Sequence, residues 1–129
     1  VLAALDEVRV SPFELALRGV GHFPPRGEPR ILWAGLERSD ALRVLHDRVE
    51  SALVRAGVEA EHRKFSPHVT LARLRGTPPR AVGSFIAMNG LFRTDPFAVS
   101  EFHLFSSSLG AKRAVHSCEA SYALDGGGS

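Results

Sequence analysis

The sequence predicts an α+β domain: a largely antiparallel sheet with helices on one face. Three observations point there. Alternating or continuous apolar runs bounded by Gly and Pro mark strands, two stripes at helical spacing mark helices, and the elements follow in the order β, β, α, β, α, β, β. With 129 residues, 44% of them hydrophobic and 23% charged, the chain is long enough for one domain with a real core.

Leu2, Leu5 and Val8 stand at helical spacing with no start signal before them, so the opening reads as the second half of a helix. After Ser11-Pro12, the alternation of Phe13, Leu15 and Leu17 with Glu14, Ala16 and Arg18 predicts a half-buried strand. Gly19 to Arg30 is rich in Gly and Pro and reads as a long loop. It carries His22, Phe23, Arg26 and Arg30, which can stack on a base and pair with phosphate, although solvated connectors carry such residues too. Ile31–Leu36 is apolar on both faces, the pattern of a central strand, and is expected to pair back with the first strand.

Ser39 as N-cap and Asp40 in the first turn open a helix with Leu42, Leu45, Val49, Ala52, Leu53 and Ala56 as its buried stripe, closed by Gly57. His46 and His62 read as structural or surface residues. Thr77-Pro78-Pro79 predicts a second N-terminus with proline at the first helical position, followed by Val82, Phe85 and Ile86 facing inward and an end at Asn89-Gly90. Pro96 to Leu104 is a strand region with Phe102 and Leu104 on one face and Glu101 and His103 on the other. Ser106 to Gly110 turns the chain, Ala114 to Leu124 returns antiparallel, and residues 125–129 form a flexible Gly/Ser tail.

Cys118 is the single cysteine, which excludes an internal disulfide and argues against a cysteine-based zinc site. No apolar run reaches membrane-spanning length and no signal-peptide pattern opens the chain, so a cytoplasmic location is the expectation. Of the sixteen Lys and Arg, fourteen are Arg, whose planar fork suits phosphate, though a GC-rich genome gives the same bias. A net charge of +2 is too weak for a protein that coats nucleic acid. The P-loop, the Rossmann fingerprint, the zinc helix H-E-x-x-H and the G-x-S-x-G elbow are all missing.

What remains is Phe65-Ser66-Pro67-His68-Val69-Thr70-Leu71-Ala72-Arg73. Pro67 biases Ser66 towards extended backbone, and Val69, Thr70 and Leu71 favour a strand. Alternation puts His68 and Thr70 on one face, an imidazole beside a hydroxyl on rigid backbone, with Val69 and Leu71 turned towards a core on the other. Spacing alone leaves two readings equally open: a phosphate-handling pair, or an ordinary strand whose polar face carries His and Thr. Simple alternation places Arg73 opposite His68, so it can support that site only if the strand ends or bulges before it.

Pro67-His68-Val69-Thr70-Leu71-Ala72-Arg73 resembles the second H-x-T signature of the two-histidine phosphoesterases, and in particular of the RNA 2′,3′-cyclic phosphodiesterases once called 2′-5′ RNA ligases. Pro12–Leu15, Gly19–Pro24, Arg30–Gly35 and Ser107-Ser108-Leu109-Gly110 resemble further segments of that family in the same order. The resemblance implies a two-lobed fold of antiparallel sheets with flanking helices, each lobe giving one H-x-T to a shared cleft. It implies hydrolysis of a terminal 2′,3′-cyclic phosphate on RNA to a 2′-phosphate without metal or other cofactor, and 2′-5′ joining as the reverse reaction. RNA ends or cyclic nucleotides would be the partners, with no membrane involved. His68 would then be one acid/base and Thr70 a phosphate ligand, with Arg73, Phe23, Arg30 and Ser107 as substrate contacts.

One departure stands out. No other histidine is followed by the motif's threonine: His22, His46, His62, His103 and His116 have Pro24, Arg48, Lys64, Phe105 and Cys118 in that place. The expectation is therefore a partial domain over residues 1–124, with the elements carrying the first H-x-T missing and the chain by itself inactive or impaired. An incomplete lobe exposes apolar surface and strand edge, which favours self-association. The alternative is a non-catalytic RNA- or nucleotide-binding remnant that keeps one H-x-T.

Overall fold

A computed structural model describes residues 2–109 and 114–125. The chain forms α1 (Leu2–Leu5), β1 (Phe13–Leu15), β2 (Leu17–Phe23), β3 (Ile31–Leu36), α2 (Asp40–Arg55), β4 (His68–Arg73), α3 (Pro79–Met88), β5 (Phe97–Val99), β6 (Glu101–Leu109) and β7 (Ala114–Ala123). The class is α+β, and the ladders β2–β3, β3–β4 and β6–β7 are all antiparallel. The elements divide into two compact units: Val1–Phe13 with Asp40–His62 and Ala98–Ser129, and Glu14–Ser39 with Arg63–Phe97. The tail expected at 125–129 falls, from residue 126 on, outside the described residues.

The first unit is built on α2 and the β6–β7 ribbon. The predicted stripe of α2 buries Leu45 and Ala52, and Leu5, Val8, Val10, Tyr122 and Leu124 close the same core. Gly57, at φ +96°, ends the helix as predicted. Its N–H donates to the Val54 carbonyl and that of Val58 to the Leu53 carbonyl, a Schellman pair that satisfies two orphan acceptors. Phe102 and Leu104 face this core as expected, with the Phe102 and Tyr122 rings stacked at 4.9 Å. The strand region from Pro96 breaks at Ser100 into β5 and β6. Ser106 to Leu109, expected to turn, instead continue β6, because every residue to Leu109 finds a partner in β7; Gly110 lies outside the described residues.

The second unit is the sheet β2–β3–β4 with α3 packed against β2. Its architecture corrects the reading of Gly19–Arg30 as one long loop: residues through Phe23 belong to β2, and only the stretch from Pro24 to Arg30 connects. The glycines did not forbid a strand. Gly19, at φ +73°, absorbs an extra residue in a β-bulge between Leu17 and Val20. Consequently β3 pairs with β2 rather than with β1, and with β4 on its other side it is the central strand, as its two apolar faces suggested.

Gly21 lies opposite Trp33, and a Cβ on it would overlap the indole, so the bare glycine is the bed on which Trp33 rests. Gly35 is equally constrained, since a Cβ there would come within 2.7 Å of the Arg18 carbonyl oxygen.

Helix α3 begins at Pro79 with Pro78, not Thr77, at the N-cap; Pro78 is extended (φ −60°, ψ 135°) and offers no side-chain acceptor. Val82 is buried as predicted, whereas Phe85 stays 40% exposed. Val69 and Leu71 also fail to enter a core, remaining 44% and 48% exposed, because β4 is an edge strand.

Two outcomes check this packing. Leu45→Ala should lower unfolding free energy by about 2–5 kcal/mol in denaturant titration. Gly21→Val should displace the single tryptophan and change its fluorescence; an unchanged spectrum at unchanged stability would contradict the contact.

Candidate active site

The face of the second unit is fixed by strand register. Cross-strand partners share a face, and β3 alternates Ile31, Trp33, Gly35 against Leu32, Ala34, Leu36. Gly35 pairs with His68, Trp33 with Thr70, and Ile31 with Phe23 on one side and Arg73 on the other. His68 and Thr70 therefore share a face, as alternation predicted.

Arg73 joins them for a reason the residue spacing did not reveal. Between the pairs Trp33–Thr70 and Leu32–Ala72 the register shifts, and Leu71 is the extra residue. This bulge resets the alternation, so Arg73 comes to the His68 face instead of the opposite one.

His68 is exposed, and its imidazole is oriented by the preceding turn. Nδ1 lies 2.7 Å from the Ser66 carbonyl oxygen, which can only accept, so Nδ1 carries the hydrogen. Nε2 is left to accept or, when protonated, to give a proton. Pro67 thus sits inside a two-residue clamp that sets the ring.

Two aromatic rings adjoin this imidazole. Phe23 meets it edge-on at 5.1 Å and Trp33 lies 6.5 Å away, while Phe23 and Trp33 are 5.3 Å apart. Trp33 was missed as a site residue because a continuous apolar run reads as core; the signal for it was Gly21, two residues before the Phe23 that pairs with Ile31. The Trp33 indole N–H is buried and finds no acceptor among the described residues, so packing over Gly21 rather than a hydrogen bond holds the ring.

The remaining expected residues divide. Arg30 is exposed just before β3, its N–H donating to the Phe23 carbonyl and its carbonyl accepting from the Leu74 N–H, which puts it at the same end of the sheet as Phe23 and Arg73. His22 pairs with Leu32 and so stands on the face away from His68, with Nδ1 buried and unbonded among the described residues. Arg26 is exposed in the connector. Ser107 belongs to β6 in the other unit, opposite His116, and its side chain lies outside the described residues. His103 is in that unit too, 2.8 Å from Ser121 Oγ through Nδ1 and 3.4 Å from Glu101 through Nε2. No helix among the described residues is long and apolar enough to cross a membrane.

The assembled face offers an oriented imidazole, a hydroxyl and a guanidinium beside two rings. That set can hold a phosphate, move a proton at it and stack an attached base.

Residues 35–116 match the family described as LigT like phosphoesterase. The RNA 2′,3′-cyclic phosphodiesterase of Aeropyrum pernix is 41% identical over 73 residues, covering 56% of this chain and 42% of the relative. That of Thermus thermophilus is 31% identical over 121 residues, covering 90% and 58%. Among solved structures, a protein of Thermus thermophilus superimposes with a TM-score of 0.73 at 26% identity, over 97% of this chain and 68% of that one. Apo LigT of E. coli gives 0.67 at 26% identity, over 96% and 65%. The chain thus spans about half the length of the curated relatives it matches. With the match covering more than half of its residues, the chain belongs to the LigT-like phosphoesterase family.

Proposed function

We propose that the protein carrying this chain hydrolyses 2′,3′-cyclic phosphate ends of RNA to 2′-phosphates, with His68 as one of two acid/base groups. The observation that carries the reading is the single sheet face that presents His68, Thr70 and Arg73 together with Phe23 and Trp33. The shared name of the curated relatives, RNA 2′,3′-cyclic phosphodiesterase, supports the choice of substrate.

Opening the ring requires water to add to phosphorus as the P–O3′ bond breaks. One group removes the proton from water, and another protonates the departing 3′ oxygen. An imidazole whose Nδ1–H is committed to the Ser66 carbonyl presents Nε2 for either task. The Thr70 hydroxyl and Arg73 guanidinium are suited to the non-bridging oxygens, where charge grows in the transition state. Phe23 and Trp33 give the terminal base a stacking surface that does not depend on sequence.

The second acid/base group is the histidine of the family's first H-x-T, which residues 1–129 do not contain. With a 5′-hydroxyl in place of water, the same attack on phosphorus breaks the P–O3′ bond and leaves a 2′-5′ linkage, so ligation is the companion activity.

The test is turnover of an RNA ending in a 2′,3′-cyclic phosphate by the longest gene product that contains this chain. His68→Ala should lower kcat by about 10²–10⁴ with the fold intact. Full turnover by that variant would refute the assignment, as would a product carrying a 3′-phosphate. Arg73→Gln should cost on the order of tenfold or more in kcat/KM, the loss of one charge-assisted hydrogen bond. An Arg73 variant with unchanged kinetics would show that the bulge at Leu71 has no catalytic consequence.

A further inference from the structure

The first unit has a charged feature that the His68 face does not use. Arg9, Arg48, Ser51 and Arg55 line a depression of about 310 Å³ between the segment after α1 and the exposed face of α2. Arg48, Ser51 and Arg55 lie three, four and seven residues apart, so they form one helical row, and Arg48 and Arg55 stand about 10 Å apart along the axis. All four side chains are exposed.

Helical arginines can pair with nearby carboxylates, but the two acids of α2 nearest Arg48 have other partners. Asp47 is bonded to His46 Nδ1 at 3.2 Å, and Glu50 accepts the Glu61 N–H at 2.7 Å. Among the described residues, Glu7 is the one acid lining the depression, against three guanidiniums. Arg9 donates to the Asp6 carbonyl and Arg48 to the Arg9 carbonyl, contacts that hold the side chains in place without neutralising them. Each guanidinium has five N–H donors, so most remain for a ligand.

A second depression of about 360 Å³ adjoins the first, sharing Arg9 and Arg48 and floored by Pro12, Phe13 and a 41% exposed Val44. A cationic basin beside an apolar shelf matches a phosphate joined to a sugar and base better than it matches a bare anion.

We propose that this groove of the first unit is a second, non-catalytic site that holds the phosphodiester backbone of single-stranded RNA. Arg48 and Arg55 take phosphates and the Pro12–Phe13–Val44 shelf takes the intervening nucleoside. The naming of RNA rests on the function proposed above; the anion site itself does not.

The test is fluorescence anisotropy of a labelled ten-nucleotide single-stranded RNA ending in a 3′-hydroxyl, titrated with the full chain over a salt series. Arg48→Gln/Arg55→Gln should weaken binding about tenfold. It should also lower the slope of log affinity against log salt by about 1.4, as each of the two neutralised phosphates on a single strand contributes ~0.7. Because Arg48 also bonds to backbone, Arg55→Gln alone is the cleaner variant. It should lose about threefold with an unchanged melting temperature, and Arg55→Lys should recover most of the loss. Equal affinity and equal salt slope in the double variant would overturn the proposal. So would binding to phosphatidylglycerol vesicles that is lost in the double variant while RNA binding is not. Hydrolysis by the His68 site is scored in the separate turnover assay, so either reading can fail without the other.

Discussion

The candidate site depends on the register of one strand. β3 is held between β2 and β4, and the residues that face its Trp33 row become the site. Two irregularities set that register. Gly19 takes the positive φ that lets β2 carry one residue more than β3, and Leu71 is the extra residue that lets β4 do the same. Without the first, Gly21 and Phe23 would change faces relative to Leu17. Without the second, Arg73 would point away from His68. A one-residue slip moves every side chain to the other side of a sheet, which is why such bulges persist where several strands must present one constellation.

Rigidity and chemistry are coupled through the same backbone. The Trp33 indole needs a glycine beneath it, and its ring stands beside the imidazole that the Ser66 carbonyl orients. The Ser66 hydrogen bond occupies Nδ1 alone, so the exposed His68 keeps Nε2 able to exchange protons while its direction is fixed. The first unit gains its stability differently, from the apolar stripe of α2 against α1 and the inner face of the β6–β7 ribbon. One unit thus carries the H-x-T face, and the other is a packed layer with a basic groove.

Much of this was legible in the sequence. Stripe periodicity located α2 and its buried Leu45 and Ala52, the Gly57 stop was correct, and His-x-Thr alternation placed His68 and Thr70 together. What failed has a common cause, since local composition does not report non-local pairing. Gly19 and Gly21 read as loop residues, yet they are the residues that let β2 bend and let Trp33 lie flat. Val69 and Leu71 read as core, yet among the described residues β4 pairs only with β3. Ser106 to Leu109 read as a turn, yet the partner strand β7 extends far enough to pair them. Arg73 is the instructive case: the condition under which it would join the site, a bulge before it, could be stated from sequence, but not whether the condition held.

The most direct test of this arrangement is an amide and indole chemical-shift titration of the chain with adenosine 2′-monophosphate, the product analogue. Within the three-stranded sheet, shifts should concentrate on Phe23, the Trp33 indole N–H, His68, Thr70 and Arg73. Shifts confined to the opposite row of Val20, His22, Leu32 and Ala72, or a sheet that does not respond at all, would contradict the arrangement.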